Sequence, residues 1–354
     1  MPSKQEDTPV DTALCSRCQE KEVVISIRTE PVCKDCFSKY VQTKIIKRME
    51  TFRVKNSEPG KERTLLFPLS FGPSSTALLY VVSSHLKRQI EKTGRTGFKL
   101  HVIHIRLPEE SNSEEILEQV KQRYPEHTYS NIPLATITEH TDLVPSAFHR
   151  QQQQQKTPAE TLTAILSTLP TPTSRADATA IFLRKLLVHH ALTLDCGAIL
   201  FADSTTRLSE RVLAETAKGR GFALPWIVSD GASPFGIPIY YPVRELLSKE
   251  VAAFVDFVEP SLADVLVRRS DGRPAAAMKN TTIDELTRQY FAGVEVEYPS
   301  IVANVVRTTG KLQARTLGEV EAHCELCDMP LEGQAPERSR VCYGCIRTMP
   351  QIGA

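Results

Sequence analysis

Eight of the nine cysteines in this 354-residue chain fall into two quartets with the same spacing. Each quartet consists of a CxxC pair, a spacer of 14 residues and a second CxxC pair. A CxxC pair forms a tight knuckle that presents two thiolates to one metal ion, and a second knuckle completes a tetrahedron around zinc at about 2.3 Å per sulfur. The ligands predicted in this way are Cys15, Cys18, Cys33, Cys36, Cys324, Cys327, Cys342 and Cys345.

Both predicted zinc sites are structural. Four sulfur ligands leave no open position for water, so catalysis at the metal is not expected. Each cysteine-bearing segment is too short for a core of its own and should depend on its metal. Disulfides and an iron–sulfur cluster are the alternatives. The ninth cysteine, Cys196, lies between an apolar helix and a strand, which favours a buried small side chain over a nucleophile.

Composition and charge restrict the function classes. The chain is 41% hydrophobic and 24% charged, which is typical of a globular protein. Its 43 basic and 42 acidic residues exclude a uniformly basic nucleic-acid coat but allow a local basic face. No stretch approaches the roughly 20 apolar residues that span a bilayer. The first 12 residues are polar and show no targeting pattern, so we expect a cytoplasmic protein without membrane contact.

Alternation of apolar and amphipathic runs predicts an α/β fold, a parallel sheet with helices on both faces. Strands are expected at Thr64–Ser70, Lys99–Arg106, Ile132–Ile137 and Ala198–Ala202. Helices are expected at Phe37–Phe52, Ser75–Lys92, Glu114–Tyr124, Ile181–Leu194 and Ser209–Gly219.

Four regions are predicted along the chain. Residues 1–55 form an N-terminal zinc-binding segment and residues 56–260 the α/β domain. Within that domain, residues from about 150 to 175 are rich in glutamine and proline and are predicted to be a solvated insertion. Residues 261–320 form an extension, and residues 321–354 form the C-terminal zinc-binding segment.

The loop after the first strand of the domain is a candidate phosphate site. It contains Ser70, Phe71, Gly72, Pro73, Ser74 and Ser75 and links a strand to a helix at the carboxyl end of the sheet. Backbone amides at such a helix N-terminus bind anions. Simple capping of the helix by Ser74 or Ser75 is the alternative.

This strand–loop–helix resembles the pyrophosphatase loop, SGGxDS, of ATP-dependent tRNA-thiolating enzymes. Over nearly its whole length outside the glutamine-rich stretch, the chain resembles the cytoplasmic tRNA 2-thiolation protein 2 family, the companion subunits of the eukaryotic wobble-uridine thiolase. The resemblance implies an adenine nucleotide alpha hydrolase-like fold. It is carried by VCKDCF at Val32–Phe37, ADSTTRL at Ala202–Leu208, GRG at Gly219–Gly221, YPVREL at Tyr241–Leu246, Lys249–Val251 and the C-terminal quartet.

The chain departs from the catalytic relatives where the resemblance places their chemistry. Phe71 stands at a signature glycine, Pro73 lacks an N–H and Ser74 replaces the aspartate that would handle magnesium. Ser204 stands where those relatives carry a second acid, and only Cys196 remains outside the quartets. The chain is therefore expected to be a pseudo-enzyme with no catalytic residue and no turnover of ATP.

The resemblance implies a heterodimer. A catalytic paralogue would place sulfur from a thiocarboxylated ubiquitin-like modifier on the wobble uridine of tRNAs for lysine, glutamate and glutamine. This chain would bind the paralogue and tRNA. Two alternatives stay open, namely that the chain is itself an active ATP-dependent thiolase, or that it is a zinc-stabilised adaptor that binds only protein.

Two sets of residues are candidates for contact with tRNA or the partner. The first is a basic run represented by Lys44, Lys47 and Arg48, for which a solvated helix of mixed charge is an equally good interpretation. The second is Asp203, Arg207 and Arg220 in the family motifs. Either arginine would contact phosphate or would instead anchor Asp203.

Overall fold

The computed structural model describes residues 14–27, 29–110, 112–152, 157–267, 281–314, 322–331 and 333–349. Its centre is a five-stranded sheet made of β3 (Arg63–Pro68), β4 (Phe98–Arg106), β5 (Thr128–Pro133), β6 (Ala198–Leu200) and β7 (Ile239–Tyr240). A two-stranded hairpin, β1 (Ile25–Ile27) and β2 (Glu30–Val32), precedes it. The α/β class predicted from the sequence is confirmed.

The five strands are all parallel and lie in the order β5-β4-β3-β6-β7. From β3 the chain adds β4 and β5 on one side, and it then returns to add β6 and β7 on the other side of β3. The order of the strands therefore reverses between β3 and β6. The carboxyl ends of these two strands therefore flank a crevice, the position where open α/β sheets bind ligands. The loop that begins at Leu69 and the segment that begins at Phe201 leave the sheet at this point.

Helices cover both faces because successive strand residues point to opposite sides. Leu65 and Phe67 belong to one hydrophobic cluster and Leu66 to the other. The first face is covered by α1 (Lys34–Arg48), α2 (Pro73–Thr93), α3 (Ser113–Arg123) and α9 (Ser248–Phe257). The second face is covered by α5 (Pro158–Ser167), α6 (Pro172–Thr193), α7 (Thr205–Ala217) and α8 (Leu224–Ile227).

The remaining helices are short or peripheral. They are α4 (His149–Gln152), α10 (Ile283–Glu297), α11 (Pro299–Thr309) and α12 (Tyr343–Ile346). The pair α10 and α11 packs against α7. None of the helices within the described ranges has the length and apolar character needed to cross a membrane.

One strand lies earlier in the chain than its sequence pattern predicted. The apolar run at Ile132–Ile137 was expected to be a strand, but β5 ends at Pro133 and a 3-10 helix follows at Leu134–Glu139. Proline has no N–H to continue a ladder. The 3-10 helix instead buries Leu134 and Ile137 against the second face of the sheet.

The stretch predicted to be a solvated insertion is largely folded. Thr157 caps α5 through a capping box with Glu160, and Leu162 and Ile165 are buried in the core. Helix α6 begins at Pro172, nine residues before the predicted start, because Thr171 caps it and proline fits the first helical turn. Residues 153–156 of the glutamine-rich run and the polar residues 1–13 lie outside the described part.

Each cysteine segment continues one of the two cores. Cys15 and Cys33 belong to the cluster on the first face of the sheet, and all four C-terminal cysteines belong to the cluster on the second face. The quartets thus lie on opposite faces of the sheet and pack onto it. The division at residues 55, 260 and 320 stays a prediction.

Candidate functional site

The two quartets are built in the same way. Each first knuckle closes an antiparallel bridge, between Leu14 and Glu22 in one case and between His323 and Pro330 in the other. The residue after each first knuckle, Gln19 or Asp328, has a left-handed φ. Each second knuckle begins at a helix N-cap, Cys33 of α1 or Cys342 of α12. Equal spacing in the sequence thus gives equal local structure.

The arrangement of sulfur atoms fits a single ion. Within each quartet the four Sγ atoms lie within 4.8 Å of one another. The Sγ atoms of Cys18 and Cys33 are 3.8 Å apart, and those of Cys327 and Cys342 are 3.9 Å apart. Four sulfurs at about 2.3 Å from a tetrahedral zinc ion have edges of roughly 3.8 Å. Such an ion would crosslink the two knuckles, and with four protein ligands it would offer no position for a substrate.

The quartets differ in burial. All four C-terminal cysteines are buried, whereas Cys18 and Cys36 of the N-terminal quartet are half-buried. The N-terminal quartet is held on α9 by the edge-to-face contact of Phe37 with Phe257, whose ring centroids are 5.9 Å apart. An ion pair joins Lys34 to Glu259, which lies just after α9.

The first knuckle of the C-terminal quartet is held by two cations of α6. Arg184 donates to the carbonyl of Cys327 at 2.8 Å, and buried Lys185 donates to the carbonyl of Glu325 at 2.8 Å. Lys185 also pairs with Asp328 at 3.0 Å. Sequence reasoning missed this pair of neighbouring basic residues, whose position within an apolar helix was the available signal.

The candidate phosphate loop is anchored to the core by Phe71. Phe71 adopts a left-handed φ of 57°, and its ring is buried against His104 with ring centroids 4.5 Å apart. The Phe71 carbonyl accepts a hydrogen bond from the Val267 amide at 2.7 Å. Pro73 is the first residue of α2, so one amide of the helix N-terminus is missing.

The serines of the loop bind one another. Ser75 Oγ lies 3.1 Å from Ser70 Oγ, accepts from the Ser70 amide at 3.3 Å and donates to the Gly72 carbonyl at 3.1 Å. Ser75 is buried and fixes the turn, and no side-chain cap is found for α2. The position of the signature aspartate holds Ser74, whose neutral hydroxyl provides no charge for magnesium.

Across the crevice, Asp203 and its neighbours are also paired. Asp203 accepts from Arg211 at 2.5 Å, and Ser204 caps α7 by accepting from the Arg207 amide at 3.2 Å. Arg207 pairs with Glu210 at 2.7 Å but keeps 41% of its side chain exposed. Neither candidate arginine anchors Asp203, because Arg211 occupies that role.

Arg220 differs from the other tRNA candidates because it is buried, with 3% of its surface exposed. Its guanidinium lies between Asp177 of α6 and Glu215 of α7. Burial alone would raise the pKa of Asp177, but Arg220 and Lys218 lower it to about 2, so this carboxyl is ionised. In this position the Arg220 side chain has no face for phosphate.

The basic residues of α1 lie beside the carboxyl end of β7. Lys44 pairs with Glu245 at 2.8 Å, and Arg48 pairs with Asp230. Arg244 approaches Asp230 from the other side at 3.6 Å. Lys47 is exposed, and within the described residues it forms no ion pair. We call Lys44, Lys47, Arg48 and Arg244 the α1 basic patch; its four cations face two carboxylates.

Cys196, the ninth cysteine, lies away from the crevice. It precedes β6 and is therefore at the amino edge of the parallel sheet, whereas the loop of Ser70 to Ser75 is at the carboxyl edge. Burial, together with the charge of Asp195, raises the pKa of Cys196 to about 11. Its thiol is protonated at neutral pH, as expected for a small core residue rather than a nucleophile.

Comparison with known proteins identifies the family. The family model for cytoplasmic tRNA 2-thiolation protein 2 matches residues 282–341. The protein of that name from Phaeosphaeria nodorum is 42% identical, with 100% of this chain and 98% of the relative covered. The chain belongs to the cytoplasmic tRNA 2-thiolation protein 2 family. Another member of the family, from Aspergillus oryzae, is 34% identical with complete coverage of both chains.

A solved structure supports the fold assigned to this family member. The U34-tRNA thiolase NcsA from Methanococcus maripaludis, determined with its 4Fe-4S cluster, aligns with a TM-score of 0.59. The alignment covers 94% of this chain and 95% of the thiolase at 14% sequence identity. The likeness supports the fold, and membership of the family supports a role in tRNA 2-thiolation.

Proposed function

We propose that the chain is the non-catalytic subunit of a cytoplasmic heterodimer that thiolates the wobble uridine of the tRNAs for lysine, glutamate and glutamine. A catalytic paralogue ligates sulfur from a thiocarboxylated ubiquitin-like modifier, and this chain binds the paralogue and tRNA. The observation that carries the proposal is the altered loop, in which Phe71, Pro73 and Ser74 stand at positions of the signature. A triphosphate needs a run of free amides, yet the loop has Phe71 at a signature glycine, with its ring buried against His104, and Pro73 removes a donor.

The cysteine inventory supports the same conclusion. Sulfur transfer through a cysteine pair, or through a cluster with three cysteine ligands, needs thiols at the crevice. The nine cysteines are used by the two quartets and by Cys196, which is at the opposite edge of the sheet. We assign one structural zinc ion to each quartet, since the sulfur spacing suits one tetrahedral ion and full sulfur ligation excludes a catalytic water.

The α1 basic patch is the surface we propose for tRNA. Its four cations exceed the two neighbouring carboxylates, Asp230 and Glu245, and Lys47 is exposed. Arg207 on α7, with 41% of its side chain exposed, is a separate candidate for contact with tRNA. Arrays of this kind contact phosphates without reading bases, and each contact contributes to the salt dependence of binding.

The test is reconstitution. The chain alone, the paralogue alone and the heterodimer are each incubated with ATP, a sulfur donor and unmodified tRNA. We expect pyrophosphate release and thiolated tRNA only where the paralogue is present. Pyrophosphate release by the isolated chain would contradict the proposal and favour an active thiolase. A heterodimer whose tRNA affinity equals that of the paralogue alone would favour a protein-only adaptor.

A further inference from the structure

The guanidinium of Arg220 is held in place by two carboxylates. Nε donates to Glu215 at 2.5 Å and Nη2 donates to it at 3.2 Å. Nη1 and Nη2 donate to Asp177 at 2.8 and 2.5 Å. Four of the five N–H groups of an arginine are thereby used. Because the carboxylates come from two different helices, the plane of the guanidinium is fixed independently of any metal.

The fifth N–H points at a predicted metal ligand. Nη1 of Arg220 lies 3.8 Å from Sγ of Cys345, within hydrogen-bonding reach of sulfur. Arginine keeps its charge when buried, so with a metal ion on Cys345 this contact would be a charge-assisted hydrogen bond to a thiolate. Such outer partners orient metal ligands, and their loss typically weakens metal binding about 10- to 100-fold.

The backbone of the second knuckle is fitted to the same arginine. A Cβ added to Gly344 would lie 2.5 Å from Cγ of Arg220 and 2.8 Å from the Lys218 carbonyl. Three residues after Cys345, the hydroxyl of Thr348 donates to Asp177 at 2.9 Å. The knuckle is therefore held through a sulfur contact, a close backbone approach and a side-chain hydrogen bond.

We propose that Asp177 and Arg220 form a clamp on the C-terminal metal centre, in which Arg220 donates to the metal-bound thiolate of Cys345 and retards loss of the ion. This inference rests on the zinc occupancy proposed above. It replaces tRNA contact as the role of Arg220, which becomes a positioning residue. It also gives the GRG motif at Gly219–Gly221 a structural role at the C-terminal quartet, although more than 100 residues separate the two.

The N-terminal quartet serves as an internal reference. Among the described residues no arginine hydrogen bond to its sulfurs is found, and Cys18 and Cys36 are half-buried. A chelator reaches half-buried thiolates more readily than buried ones. The two ions should therefore leave at different rates, with the N-terminal ion leaving first.

The experiment measures zinc transfer from the metal-replete, full-length chain to a chromogenic chelator. We expect two phases of one equivalent each in the wild type, and loss of the fast phase in a Cys36→Ser chain. Arg220→Lys keeps the positive charge but loses the planar guanidinium that binds both carboxylates. Gly344→Ala displaces the second knuckle, because the added Cβ has no room beside Arg220. Either change should accelerate the slow phase about 10- to 100-fold and leave the fast phase unchanged.

Matched control variants distinguish loss of the clamp from a general loss of stability of the chain. Gly221→Ala adds a methyl group at a neighbouring glycine where nothing lies within 4 Å, and Arg207→Lys alters a partly exposed arginine. Both should release zinc like the wild type. Thr348→Val removes one hydrogen bond to Asp177 and serves as the mild variant if Arg220→Lys does not fold. It should accelerate the slow phase alone.

A spectroscopic measurement tests the sulfur contact directly. In the cobalt-substituted chain, loss of a hydrogen bond to thiolate should move the sulfur-to-cobalt charge-transfer band to lower energy in Arg220→Lys. Two zinc ions with wild-type release rates in Arg220→Lys, Gly344→Ala and Thr348→Val would overturn the clamp alone. Wild-type chain that binds no zinc would overturn the metal assignment as well.

Discussion

The left-handed backbone and the buried ring of Phe71 provide a direct test of the loop geometry. Replacing this ring, buried to 2% exposure, should cost about 3–5 kcal/mol in the Phe71→Ala chain. The Phe71→Gly chain loses the same ring but regains about 1 kcal/mol, because glycine adopts the φ of 57° without a Cβ clash. We therefore expect the glycine variant to lose about 2–4 kcal/mol and to be more stable than the alanine variant by about 1 kcal/mol.

The assay is urea unfolding of the metal-replete chain followed by circular dichroism, with midpoints compared at constant slope. Phe67 in β3 is the matched control, since it is fully buried but lies in ordinary strand backbone. There the order should reverse, with alanine more stable than glycine by about 0.5–1 kcal/mol. If alanine were more stable than glycine at position 71 as well, the left-handed geometry would be refuted. If both Phe71 variants were as stable as the wild type, the buried position of the ring would be refuted.

Three further predictions concern the metal, the RNA and the nucleotide. The Cys33→Ser chain should retain about one zinc ion instead of two by elemental analysis and should unfold at a lower midpoint, because loss of a thiolate removes most of the binding energy of a structural site. Retention of both ions would contradict the assignment. Lys47→Ala and Arg207→Ala in the heterodimer should each reduce the slope of log binding constant against log salt concentration for tRNA by about 0.7 to 0.9. An unchanged slope would show that the substituted residue does not contact a phosphate. The Phe71→Gly/Ser74→Asp double variant should not thiolate tRNA, since no free cysteine lies at the crevice to carry sulfur; nucleotide binding detected by calorimetry is compatible with this prediction, whereas thiolated tRNA is not.

Several features of the fold were predictable because they depend on local patterns. The apolar runs that became β3, β4 and β6 are bounded by turn-forming residues and were placed within a few residues. The strand β5 was misplaced because Pro133 ends its ladder while the apolar pattern continues into a 3-10 helix. The start of α6 was missed although Thr171-Pro172 is a helix-start signal, because the neighbouring prolines suggested a loop.

The sequence by itself determined the two cysteine quartets, since CxxC spacing specifies the geometry of a knuckle without reference to the rest of the chain. It also determined that the loop lacks an acid, because Ser74 has no carboxylate in any conformation. Only the tertiary structure decided what Arg220 does. Its partner Glu215 is a near neighbour in the chain, but Asp177 and Cys345 lie 43 and 125 residues away, and these two contacts depend on how α6, α7 and the C-terminal quartet pack. Burial and long-range pairing arise from packing, and no local pattern encodes them.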